Sequence, residues 1–147
     1  MEEIRFSTGL KSFKLMDISG NRDCEVFFNP TDMSFIERLY ATFDALDKMQ
    51  AEYEAEKAKP DDGGARSFFE TARKWDENMR ACIDEAFFAP VCAAVFGTMN
   101  VYAMSEGLPI WTNLLLSVME TVETTFGGES KLTDPRISKY VAKYKKK

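Results

Sequence analysis

Histidine is absent from all 147 residues. With no imidazole there can be no Ser-His or Cys-His nucleophile pair, and no zinc site of the ordinary His/Cys kind. Any catalytic centre would have to run on carboxylates, Lys, Tyr or Cys, and nothing in the chain asks for one, so the expectation is a protein that is not an enzyme and needs no cofactor or metal. Cysteine is scarce as well: Cys24, Cys82 and Cys92 are odd in number and widely spaced, which fits reduced thiols in a cytoplasm better than a disulfide framework. The eight glycines admit neither a P-loop nor a dinucleotide fingerprint; the pairs Gly63-Gly64 and Gly127-Gly128 read as loops. No apolar run approaches the roughly 20 residues that span a bilayer. The opening "MEEIRFSTGL" is acidic and has no apolar stretch of signal-peptide type. The expected setting is therefore the cytoplasm, with no membrane involved.

What is present is an ordinary globular composition, 45% hydrophobic and 29% charged, long enough for one domain with a real core. Charge is uneven. The net charge is −5, but residues 129–147 hold seven Lys/Arg against Glu129 and Asp134. The acidic body repels phosphate and makes specific nucleic-acid binding a poor expectation.

Periodicity divides the single domain 1–147 into three stretches. Residues 1–30 carry a hairpin or meander signal: partial alternation through Ile4, Phe6, Phe13 and Leu15, the turn-rich "SGNRD", then "CEVFF". Residues 31–128 read as a helical core. Asp32 or Ser34, with Ser34 and Glu37 at capping-box spacing, opens a helix whose apolar stripe runs from Phe35 to Tyr53. A mobile loop is expected over 57–66. A second helix from near Ser67 buries Phe68, Phe69, Ala72, Trp75, Met79, Cys82, Ile83, Ala86 and Phe87, and another runs from Pro109 through Trp111, Leu115 and Val122 to Phe126, with Gly127 ending it. Residues 129–147 form a basic terminal helix or tail with Ile137, Tyr140, Val141 and Tyr144 on one face. The fold class is thus α+β and mostly α-helical, an N-terminal β-hairpin or meander packed on three long amphipathic helices plus short ones.

Between the second and last long helices lies "IDEAFFAPVCAAVFG". Pro90 interrupts an otherwise helical run, so the stretch reads as helix, corner and short helix, with Pro90 in the new first turn and Gly97 as a left-handed terminator. Asp84 and Glu85 are adjacent and do not share a helix face, so their expected role is a solvated surface rather than a paired acid–base site.

This order of elements, with Ile83, Asp84, Phe87, Phe96 and Gly97, resembles the tail assembly chaperones of long-tailed bacteriophages and prophages. That family carries an Ile/Leu-Asp-x-x-Phe-Gly step followed by a second Phe-Gly before the last helix. Phe88 stands where the family usually has glycine, and Pro90 is atypical.

The resemblance implies a non-enzymatic protein of the host-cell cytoplasm that binds the tape measure protein and helps recruit tail tube subunits. A long amphipathic partner helix would suit aromatic and Met-rich walls, for which Met99, Tyr102 and Met104, in the loop before the last helix, are candidates. The resemblance also implies a longer frameshifted product, with the codons of Lys145–Lys147 as a possible slippery run and the face of Ile137, Tyr140, Val141 and Tyr144 as a junction or a docking surface. A homo-oligomer is possible. Rival readings are a tail-completion or head–tail connector protein, assembled permanently as a ring, and a small bacterial adaptor domain.

Overall fold

A computed structural model of the chain describes residues 1–59 and 64–130, with side chains as far as 125. Of the terminal helix expected over 129–147, residues 131–147, with Ile137, Tyr140, Val141 and Tyr144, lie outside the described residues, as do residues 60–63 of the expected loop.

Alternation builds the first element. Strand β1, Lys11–Met16, pairs antiparallel with β2, Asp23–Phe28, in the register Phe13↔Val26 and Leu15↔Cys24. One face of this ribbon carries Phe13, Leu15, Cys24, Val26 and Phe28 toward the core, and the other carries Ser12, Lys14, Asp23 and Glu25. Two strands alone are marginal, and an aromatic column fastens them to the helices. Phe13 stacks on Phe28 at 4.3 Å, Phe28 on Phe35 at 4.3 Å, and Phe35 leans on Phe87 at 6.1 Å. Each such pair adds about 0.5–1.5 kcal/mol beyond its buried area. The alternation does not extend upstream: residues 1–10 form no strand, and Ile4 and Phe6 are exposed rather than packed.

"NPTD" converts strand into helix. The Asn29 side-chain oxygen accepts from the Thr31 amide and hydroxyl at 2.8 and 2.7 Å, an Asx turn. Asp32 then caps α1, Met33–Lys57, by accepting from the Ser34 amide at 3.0 Å. Ser34 is inside the helix, so the Ser34–Glu37 capping box does not form. The apolar stripe from Phe35 to Tyr53 is buried as its spacing predicts, joined by Thr42 and Gln50. Gln50 is satisfied inside the core: its side-chain oxygen accepts from the Trp111 indole at 3.0 Å, and its amide donates to Glu54 at 3.0 Å.

Helix α2, Gly64–Phe87, packs along α1. Ala72, Asp76, Met79, Ile83, Ala86 and Phe87 are its buried positions. Phe68 and Phe69 are exposed, contrary to expectation, because this first part of α2 outruns the core; their rings meet each other, edge to face, at 5.8 Å. After the short α3, Val91–Phe96, comes a second hairpin that the sequence does not announce, β3 (Met104–Ser105) and β4 (Leu108–Pro109). Its two-residue turn has Glu106 at φ 55° and Gly107 at φ 83°, the paired positive angles of a type I′ connection. Met104 sits on this hairpin, and Pro109 ends β4 instead of opening a helix.

Helix α4, Ile110–Ser130, is anchored by its first amides, which donate to Ala103 and Val101 carbonyls at 2.8 and 3.0 Å. It runs through Gly127 and Gly128; glycine weakens a helix interior by about 0.5–1 kcal/mol but does not forbid one. Val26, Phe28, Phe35, Leu39, Phe43, Leu46, Met79, Ile83, Val91, Trp111, Leu115 and Met119 belong to one core cluster drawn from β2 and from α1 to α4. The chain is α+β and mostly helical.

Candidate partner-binding groove

Helix ends must satisfy their carbonyls, and α2 does so in an unusual way. The Ala89 amide donates to the Asp84 carbonyl and the Phe88 amide to the Glu85 carbonyl, the two crossed bonds of a Schellman motif. The motif requires a left-handed residue at its turning position, and here that residue is Phe88, at φ 52°. Glycine fits this position without strain; an L-residue costs about 1–2 kcal/mol. Phe88 is 76% exposed and covers Arg38, whose guanidinium carbon lies 4.4 Å from the ring centroid. The same Arg38 donates from Nε to the Ala86 carbonyl at 2.8 Å, a cation seated at a helix C-terminus.

Pro90 is the N-cap residue of α3 and offers no side-chain cap. Asp84 supplies one from the preceding helix, its Oδ1 accepting from the Cys92 amide at 2.9 Å. Asp84 is therefore a cap shared by two helices, not the solvated carboxylate expected. Glu85 is exposed.

Gly97 ends α3 at φ 60°, ψ −126°, and the Met99 amide donates to the Phe96 carbonyl at 3.1 Å. These are the features of a type II′ turn with glycine at its first corner, rather than of a left-handed helix terminator. A Cβ on Gly97 would also meet the Arg22 guanidinium, at 2.7 Å from Cζ. Arg22 comes from the hairpin connection and donates to the Phe96 carbonyl at 2.5 Å.

Asp76 holds the next segment. It is 8% exposed, its Oδ2 meets Arg80 Nε at 3.0 Å, and its Oδ1 accepts from the Val101 amide at 2.8 Å. Arg80 continues to the Gly97 and Met99 carbonyls at 2.8 and 2.5 Å. Asp76 could have been found: it falls on the buried register of α2, four after Ala72 and three before Met79, where a carboxylate needs partners.

The motif residues Ile83, Asp84, Phe87, Phe96 and Gly97 are thus brought together, and they build the corner. Ile83 and Phe87 are buried in the core, and Phe96 is half-buried against it. Met99 and Met104 are exposed. Tyr102 is tied down, stacked on Tyr53 at 4.2 Å with its hydroxyl donating to the Ala72 carbonyl at 2.7 Å; burial raises its pKa. The three thiols are also pushed up, chiefly by burial, so none is a thiolate at neutral pH. Among the described residues no three or more metal-ligating side chains cluster, and no helix is long and apolar enough to cross a membrane.

Among the described residues, an open groove of about 820 Å³ between the first hairpin and α4 has room for a partner. Its floor includes Phe28, Val95 and Phe96. One wall is a single face of α4, residues Asn113, Leu114, Ser117, Val118 and Thr121. Ser117 and Thr121 donate their hydroxyls to carbonyls four residues back, at 2.9 and 3.1 Å, so their methyl and methylene groups join Leu114 and Val118 in the wall, with Glu120 as its charged member. The other wall is the hairpin from Phe13 to Ser19. The rim carries Met16, Ile18 and Met99, all exposed, an apolar surface of the kind that marks interaction sites. Of the partner-contact candidates in the described residues, only Met99 lines the groove.

No family model, curated protein or solved structure matches the chain.

Proposed function

We propose that the chain is a tail assembly chaperone of long-tailed phage or prophage type, a non-enzymatic protein of the host cytoplasm that holds an amphipathic helix of the tape measure protein in the groove between its first hairpin and α4 and hands it on to the tail tube. The groove carries this proposal. It is open, its apolar lining of Phe28, Val95, Leu114 and Val118 is edged by charged Lys14, Asp17, Arg22, Glu106 and Glu120, and its rim carries Met16, Ile18 and Met99. An amphipathic helix laid apolar face down, with its charges at the edges, is the ligand such a surface suits. Flexible Met side chains on the rim accommodate a partner whose sequence varies along its length. The corner gives a second support. The position after Phe87, glycine in the family pattern, has φ 52° here, the conformation that glycine adopts most readily.

The test is co-expression with the long helical protein encoded beside its gene, reading the soluble fraction of that partner. The wild-type chain is expected to keep it in solution. Ile18→Asp, at a site 96% exposed, should leave the fold intact and return the partner to the pellet. If the partner precipitates with the wild-type chain as well, the proposal fails.

A further inference from the structure

The groove has a second possible occupant within the chain's own kind. Residues Phe13 to Ser19 all line it, odd and even alike, whereas β2 contributes only Phe28. Consecutive residues of a strand point to opposite faces, so it is the outer edge of β1, not a face, that borders the space. Among the described residues the sheet has two strands, β1 and β2, and no third strand pairs with that edge. Such an edge, with its row of unpaired amides and carbonyls, is a template for another strand.

The N-terminal ten residues are a strand without a place. Ile4 and Phe6 alternate with Glu3 and Arg5, and they are 90% and 82% exposed. Residues 1–7, extended, span roughly 23 Å at ~3.3 Å per residue, enough to cover the strand edge of β1, Lys11–Met16, at roughly 20 Å. The arm's root holds it away from its own groove. Asn29 donates to the Thr8 carbonyl at 2.8 Å, and its amide nitrogen lies 2.6 Å from where a Cβ on Gly9 would stand. This clamp sits beyond the Lys11↔Phe28 end of the ribbon, opposite the turn that lines the groove. A return in cis would have to reverse the chain at the clamp.

We propose that the arm of one copy, Ile4 and Phe6 foremost, adds as a strand to the open edge of β1 in a second copy, and that the two copies exchange arms reciprocally. The area suffices. Ile4 and Phe6 from two arms, at roughly 150 Å² each, remove on the order of 600 Å² from water and cover a similar area of groove, which reaches the lower end of the ~1,200–2,000 Å² of a specific interface. The exchange shares its groove with the proposed chaperone function but requires no partner, and it keeps the groove covered until one arrives.

The test uses the full chain alone, with mass measured by light scattering or sedimentation over a range of concentrations. The expected result is a dimer that dissociates on dilution. Ile4→Asp/Phe6→Asp, which alters only exposed side chains, should raise the dissociation constant at least about a hundredfold with an unchanged far-UV spectrum. Ile18→Asp, on the receiving side, should weaken the dimer as well. A wild-type chain that is monomeric at all concentrations overturns the proposal, and so does a dimer indifferent to the arm variant. Neither result depends on whether a tape measure protein binds.

Discussion

The corner that joins α2 to α3 and the groove wall formed by β1 belong to the same core yet are built on opposite terms. At the corner, polar groups are wired across the chain: Asp76 to Arg80 and Val101, Asp84 to Cys92, Arg38 to Ala86, Arg22 to Phe96. At the groove wall Met16 and Ile18 are exposed beside Lys14 and Asp17, and among the described residues the backbone edge has no neighbouring strand. A region whose every donor has an acceptor is closed to new partners; a region with open valences and apolar surface invites them. The same chain thus separates the part that fixes shape from the part available for binding.

The largest test of that contrast is Asp76→Ala. It leaves the Arg80 guanidinium and the Val101 amide without their buried acceptor, and the expected loss of stability is about 3–5 kcal/mol by urea denaturation. Glu85→Ala, on the exposed side of the same helix, should stay within about 0.5 kcal/mol. A smaller effect sharpens the account of the corner. Phe88→Gly and Phe88→Ala both remove the ring over Arg38, so their difference isolates the backbone, and the glycine variant should be more stable by about 1 kcal/mol. Equal stabilities would mean that φ 52° costs nothing there.

The smallest effect lies at the tip of the hairpin. Hydrogen bonds from Ser19, side chain first and then backbone, hold the Asp17 carboxyl below its ordinary value. A lowered pKa in the folded state means that the local bonds are present above the ordinary aspartate value of about 3.9 and are lost as pH falls through the folded value. The Ser19 amide resonance should titrate with a midpoint below 3.9 while the core amides stay still, and Ser19→Ala should move the Asp17 midpoint upward.

Much of the helical frame was legible because it follows from spacing. The stripe from Phe35 to Tyr53 is buried, "NPTD" opens the helix, and Pro90 marks the start of α3. What escaped depends on partners distant in sequence. Nothing local distinguishes Asp84 as a cap for Cys92, eight residues on, from an ordinary surface acid. Phe68 and Phe69 continue the α2 pattern past the point where the core ends, since periodicity reports a face but not how far its cover extends. The Glu106-Gly107 turn is a weaker signal than Asn-Gly or Asp-Gly, and its two-residue strands are too short to alternate. The groove was not foreseen, because it is a space between β1 and α4, about a hundred residues apart in the chain.

Arg22 over Gly97 has a consequence for heredity. The guanidinium that packs there joins the tip of the hairpin to the end of α3, and Arg22 itself lines the groove, whereas Gly97 beneath it does not. Any side chain at 97 would displace the Arg22 guanidinium from the Phe96 carbonyl and would have to adopt the φ of 60° that favours glycine. Drift at the exposed rim can therefore retune which partner is held, while position 97 stays under constraint as though it touched that partner itself.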